Sequence, residues 1–402
     1  AERDALDRVR GLERGHAADP QRAFELASDA LRRLLLHAQG EGASVIAIDD
    51  VQWLDRDASR LLDAALREPS VADPADPARP RVRVLLVMSA RPGDDTSVID
   101  RWASPSVLDV GPLDLDALEA LAGSRAEAER LAHATGGVPL FAVTMARGAV
   151  GASLEEALAA RVARLPAAEA RLASLLSIAG RPLSRALMLD AAARLDVPNG
   201  TTTLRGLLAE RLARSRADDQ IRVELLHGAL ARAARPDDAL APSLHAALDD
   251  AMEALAVDEP ESHARHAFGA GRTARAGELF ERAAHRAHDA LAFEHAAALA
   301  EEALACSPER ARVLHELRGR ALAAAGRSAE AALAYEHALD GRPVDPSVPE
   351  TVELARRRAE QWLHAGRMAE GYVALEELLR AVGLALPSPR LGVARLVGHQ
   401  LR

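Results

Sequence analysis

In the last third of the chain, three copies of one tripeptide, Ala-Gly-Arg, set the tightest limit on what this chain can fold into. They stand at Ala270-Gly271-Arg272, Ala325-Gly326-Arg327 and Ala365-Gly366-Arg367. Thr-Ala-Arg-Ala, Ser-Ala-Glu-Ala and Met-Ala-Glu-Gly follow them in turn. An amphipathic stretch precedes each copy and another follows, so the glycine falls where one helix ends in a left-handed turn and the next begins. Two helices joined so tightly make a hairpin, and hairpins in series stack into an array. The spacings of 55 and 40 residues predict irregular repeats, with residues 290–305 inserting one more helix. The plainer alternative is a bundle whose helix stops share Gly-Arg; the common opening of the following helices favours the repeat.

The rest of the composition agrees with a mainly helical protein. A chain of 402 residues exceeds one ordinary core and predicts roughly two to three domains. Hydrophobic residues make up 49% but aromatics only 2%, so the apolar content is Ala, Leu and Val, which suits closely packed helices. There is no lysine: every basic side chain is an arginine, in an Ala- and Arg-rich composition that looks like the codon bias of a GC-rich genome. Single arginines therefore weigh little as evidence. A net charge of -10 argues against a chain that wraps nucleic acid through general electrostatics. One cysteine, Cys306, excludes an internal disulfide, no apolar run approaches the ~20 residues of a membrane helix, and no signal peptide opens the chain. The expectation is a cytoplasmic protein without a membrane partner. The chain opens at Ala1 without Met, and its last stretch, Leu391 to Leu401, is still amphipathic, so a piece of a longer polypeptide is expected.

The first quarter reads differently. Phe24, Leu26, Leu31, Leu34, Leu35 and Leu36 lie on one broad face of a predicted helix over 23–38. Val45 to Ile48 is a short continuous apolar run, predicted as a parallel strand covered on both faces, and residues 58–66 return to helical spacing. The Pro-rich segment 69–80 reads as a loop. A second strand is predicted over 82–88, stopped at Ser89-Ala90-Arg91-Pro92-Gly93, and a third over Val107 to Val110. Strand, helix, strand implies an α/β unit.

Asp49 and Asp50 end the first strand, on the side where open α/β sheets bind ligands. On their own they fit better as acids that end a strand and start a turn. In a phosphate-loop NTPase the first such acid holds magnesium and the second orients or deprotonates the attacking water. A Walker A phosphate loop needs its lysine, and this chain has none, so any phosphate cradle is expected outside it or lost.

The surrounding residues are more specific. Val45 to Leu62, with Gln52, Trp53, Asp55 and Ser59 in step, resembles the Walker B region of bacterial STAND-type AAA ATPases. That resemblance implies ATP and Mg2+ as cofactors, Asp49 as the metal holder and Asp50 as the catalytic acid. It also implies Arg91 as a sensor of the γ-phosphate, a role that suits a guanidinium's paired hydrogen bonds. Ala134 to Phe141 resembles the family's Gly-x-Pro motif, with Val138 where Asn is usual, which implies adenine contact for Gly137 and Pro139. Residues 171–183 look like the opening of the winged-helix region that follows the ATPase core. Val223 to Arg232 is similar to a segment that usually carries His-Asp-x-Ile-Arg; Gly228 replaces the Asp, and His227 reads as structural. No Cys or second His stands at metal-ligand spacing to it. Finally, residues 354–387 resemble a stretch of large bacterial serine/threonine protein kinases that join a kinase domain, a STAND ATPase and a tetratricopeptide-like tail; 55 and 40 residues exceed the 34 of a strict tetratricopeptide.

The expected fold is thus mainly α with an N-terminal partial α/β sheet of the P-loop NTPase type, then a winged-helix arm, then a tetratricopeptide-like solenoid. The expected domains are 1–150 for the second half of the ATPase, 151–240 for the arm and 241–402 for the repeats. The expected function is an ATP-dependent signalling switch whose repeats bind a protein or small molecule and whose effector, expected ahead of Ala1, is a kinase. No kinase motif occurs in the chain itself. A transcription factor or nucleotide cyclase as effector, and a scaffold with a decayed ATPase, are the alternatives; winged-helix DNA binding ranks below them.

Overall fold

The computed structural model describes residues 20–40, 42–54, 56–66, 82–91, 106–146, 153–217 and 221–385. The predicted loop 69–80 and the stretch 391–401 lie outside them. The described chain is mainly helical with two small sheets, as the composition predicts. It forms two compact units: one draws on residues 1–105 and 277–402, the other on 106–276.

In the first unit, helix α1 (Pro20–Gln39) precedes strand β1 (Ser44–Ile48), a short 3-10 turn (Val51–Trp53) and helix α2 (Arg56–Leu66); β2 (Val84–Met88) follows. The strands pair in parallel, Ser44 opposite Val84 through Ile48 opposite Met88. The buried stripe of α1 is led by small residues, Ala23, Ala27 and Ala30 with Leu35, whereas Leu34 is exposed. The predicted leucine face is therefore rotated: the small side chains Ala23 and Ala27 enter a core with Leu291, Phe293 and Ala325, and Phe24 and Leu26 pack against it. Coverage of both sheet faces is not found among the described residues, where Val45, Leu85 and Val87 stand exposed on one face.

The same unit holds the later helices: the bulk of α13 (Thr273–Asp289), then α14 (Phe293–Cys306), α15 (Ala311–Ala324), α16 (Ser328–Leu339), α17 (Pro349–His364) and α18 (Met368–Ala381). From α14 onward each packs chiefly on its sequence neighbour, the one-dimensional pattern of an array. Gly326 and Gly366 take φ of 78° and 73° between their helices, the left-handed stop that the repeated phrase predicts. The arginine of the phrase acquires a role here. Arg327 Nε reaches Glu330 at 2.7 Å and Arg367 Nε reaches Glu370 at 2.8 Å, tying the loop to the first turn of the next helix. Gly319, in mid-helix on α15, has its own reason: a Cβ there would stand 2.7 Å from the Tyr335 ring of α16.

The second unit starts with α3 (Leu115–Ala122), α4 (Arg125–Thr135), α5 (Pro139–Ala146) and α6 (Leu154–Ala163). The third predicted strand is absent: residues 106–114 carry none, and Val107, Leu108 and Val110 are 78%, 87% and 91% exposed. Apolar spacing alone does not make a strand; it needs a neighbour to ladder with, and the described residues supply none. Next come α7 (Ala167–Ala179), β3 (Leu183–Ser184), α8 (Arg185–Arg194), α9 (Gly200–Ala209), β4 (Ala213–Ala217) and β5 (Ile221–Leu225), with sheet order β3-β5-β4, all antiparallel. Helix, strand, two helices and a hairpin is the winged-helix order. Its core gathers Leu172, Leu175, Met188, Leu207, Leu212 and Val223. Helices α10 (Gly228–Ala233), α11 (Ala241–Ala254) and α12 (Pro260–Gly269) complete the unit.

The first copy of the repeated phrase lies here, and Arg275 occupies the position that glutamate holds in the other two. Arg272 turns instead to α11, reaching Asp249 and Asp250 at 2.5 Å each. Asp249 is fully buried and also meets Arg275 Nε at 3.1 Å and His263 Nε2 at 2.7 Å, so its charge is enclosed by donors.

Candidate functional site

The parallel register of β1 and β2 brings both strand ends to one edge of the sheet, and the chemistry gathers there. Ser89, the residue after β2, is the hub. Its backbone N–H donates to Ile48 O at 3.0 Å and its carbonyl accepts from Val51 N at 2.8 Å, extending the ladder by one step. Its hydroxyl accepts from Asp50 N at 2.8 Å and donates to the Asp49 carboxylate. Asp50 bends the chain away from the strand with φ 52° and ψ 57°, a left-handed conformation that Asp tolerates better than most residues. Its carboxylate accepts from Gln52 Nε2 at 3.0 Å and pairs with Arg91 Nε at 3.5 Å.

Asp49, Asp50 and Arg91 therefore converge, as their strand-end positions predict. Both carboxylates keep access to solvent, and so does the guanidinium. A pair this exposed contributes roughly 0–1 kcal/mol, little enough that a phosphate could compete for Arg91. Sequence reasoning missed Ser89; its role follows from the strand register, whose only sequence sign is a small hydroxyl residue one step past the second strand. The carboxylate oxygens suit Mg2+, which takes one or two carboxylates and completes its shell with water and phosphate oxygens. Among the described residues no group of three possible metal-ligating side chains occurs.

Helix α2 leads from this edge to the repeats. Asp57, 8% exposed, accepts from the backbone N–H of Glu294 at 3.2 Å and of His295 at 3.0 Å. These are first-turn amides of α14, whose own preceding residue, Ala292, offers no side-chain cap. Arg56 adds an exposed contact to Glu294 at 3.4 Å. Below them Ala23, Ala27, Leu291, Phe293 and Ala325 form a shared core, with Phe24 and Leu61 against it. The α/β segment and the repeats are thus one packed body.

Gly137 and Pro139 belong to the second unit. Gly136 ends α4 with φ 58°, Gly137 continues at φ 74°, and Pro139 opens α5. A Cβ on Gly137 would stand 2.6 Å from Leu113 O and 2.9 Å from Pro112 Cβ, and Gly137 O accepts from Leu113 N at 2.8 Å. Glycine at this position is explained by backbone approach. His227 has a structural task too: its Nδ1 accepts from Ala229 N at 3.0 Å and caps α10.

No family model matches the chain. An uncharacterized protein of Rhizobium meliloti (strain 1021) is 32% identical over 133 residues, which are 31% of this chain and 12% of that protein. Among solved structures, a STAND (signal transduction ATPase with numerous domains) protein with a tetratricopeptide repeat sensor, from Pyrococcus horikoshii, is similar at 13% identity and a TM-score of 0.42. The alignment covers 94% of this chain and 66% of that one. The chain therefore spans a small fraction of the first relative's length and just under two thirds of the second. Among the described residues no helix is long and apolar enough to cross a membrane.

Proposed function

We propose that this chain is the ATP-responsive regulatory portion of a larger signalling protein, a STAND-type ATPase half joined to a repeat sensor. The effector we assign to the parent is a serine/threonine protein kinase acting on another protein. The carrying observation is the convergence of Asp49, Asp50, Ser89 and Arg91 at the end of two parallel strands, with the intervening helix capping a repeat helix through Asp57. In this reading Asp49, fixed by Ser89, holds Mg2+ through water, and Asp50, oriented by Gln52, positions the attacking water. Arg91 leaves Asp50 for the γ-phosphate. Gly137 and Pro139 contact adenine. The phosphate cradle comes from outside this chain, and the open sheet face at Val45, Leu85 and Val87 is what half of a covered sheet would leave. A protein or small molecule on the repeats then biases the nucleotide state, which requires it to prefer one state over the other. The kinase assignment rests on the resemblance of residues 354–387; a transcription factor or cyclase fits the same regulatory core.

A second reading is favoured by the missing lysine: a scaffold whose ATPase has decayed. One experiment separates the two. In the parent protein, ATP and Mg2+ should bind, and Asp50→Asn should lower turnover about 100-fold or more while binding persists. The 402-residue chain alone should turn over no ATP. Turnover by the chain alone that Asp49→Ala abolishes would contradict the proposal, and a parent that binds no ATP would leave the scaffold.

A further inference from the structure

In the second unit a cleft of about 660 Å³ opens where the corner between α6 and α7 meets the end of α9. That volume lies within the roughly 300–1,000 Å³ of small-molecule sites. Two arginines and two glutamates line it, Arg161, Arg164, Glu169 and Glu210, so its charge is balanced. Leu165 and Ala209 add apolar wall.

The four charges are not equivalent. Arg161 and Glu210 hold the cleft together: Arg161, its side chain 14% exposed, donates to the carbonyl of Glu210, the residue that closes α9, and lies 3.6 Å from the Glu210 carboxylate. Arg164 and Glu169 make no hydrogen bond or ion pair among the described residues. Arg164 is exposed and Glu169 half-buried. Glu169 stands in the first turn of α7, where the helix dipole favours a negative charge, yet its carboxylate lies against α9. A Cβ at Gly206 would collide with it. Glycine inside a helix weakens that helix, and here it leaves the space that the carboxylate fills.

The cleft thus offers one guanidinium and one carboxylate that the fold itself does not use. A ligand with only a negative group would satisfy Arg164 and be opposed by Glu169, and a ligand with only a positive group would meet the reverse. A molecule that carries both charges pairs with both and leaves neither facing the apolar wall alone.

We propose that this cleft binds a small zwitterion of the dipeptide kind. Its carboxylate takes paired hydrogen bonds from Arg164, its ammonium donates to Glu169, and its hydrocarbon part rests on Leu165 and Ala209. The site uses neither nucleotide nor the repeats, so it gives the winged-helix unit an input of its own, independent of the ATPase reading.

Ligand-observed NMR titration of the complete chain with alanyl-leucine tests this. Binding is expected with a Kd of about 1 mM or tighter. N-acetylation of the dipeptide removes its ammonium and amidation removes its carboxylate; each should weaken binding about tenfold or more, and so should Arg164→Gln and Glu169→Gln. Gly206→Ala, whose methyl would take the space of the Glu169 carboxylate, should weaken binding while the thermal midpoint holds or rises. Absence of binding up to about 10 mM would overturn the proposal. Equal affinity for the N-acetyl form would overturn it in favour of an anion site, and equal affinity for the amide in favour of a cation site. An affinity that either glutamine substitution leaves unchanged would also overturn it.

Discussion

A carboxylate taken out of water must find donors, and Asp57 finds two backbone amides at a helix start. The first turn of α14 is also where a negative charge is favoured by the helix dipole. Asp57→Ala should therefore cost about 1–2 kcal/mol, seen as a lower urea midpoint with an unchanged slope. Asp57→Asn, which keeps one acceptor, should cost less. A second residue sets a pH dependence. His266 is buried with its Nδ1 3.0 Å from that of His245, and burial lowers its pKa to about 3, with His245, Arg181, His263 and Arg265 adding repulsion. An unfolded chain takes up this proton near pH 6.5, whereas the folded one refuses it. Stability contributed by neutral His266 is complete above pH 6.5 and is lost as pH falls toward 3. Between pH 7 and 5 the unchanged chain should lose about 2 kcal/mol more than His266→Gln. Equal losses in the two proteins would refute this account of the imidazole.

At the scale of elements, the closeness of α15 and α16 decides between two opposed effects. Replacing a mid-helix glycine by alanine favours the helix by about 1 kcal/mol. At Gly319 the added methyl would meet the Tyr335 ring at 2.7 Å, and overpacking costs about 1–3 kcal/mol. Packing should win: Gly319→Ala is expected to lower the thermal midpoint, and the smaller ring contact of Tyr335→Leu should restore part of the loss. The repeats were readable in advance because Gly326 and Gly366 mark helix ends by a local backbone need. Asp49, Asp50 and Arg91 were readable because strand ends fix their edge. Asp57 was not, since the amides it caps stand 237 and 238 residues further on and no local pattern announces them. Val107 to Val110 failed for the opposite reason: its pattern is local, but a strand is a relation between two segments.

For the whole molecule, the shared core of α1, α2, α14 and α15 turns a question about nucleotide into one about the repeats. If a repeat ligand and ATP act on one body, loosening the Asp57 cap should change the parent protein's ATP affinity, by a factor of about 5 or more if the coupling is of ordinary size. Calorimetric titration of the Asp57→Ala parent reads this directly; an unchanged affinity would separate the two halves. The same arrangement has a cost during synthesis. At about 5–20 residues per second, a ribosome that has released Asp57 needs roughly 10–50 s more to deliver Glu294. Through that interval the nascent helices lack the surface they are made for, so this chain should lean on holdase chaperones more than an array of repeats alone.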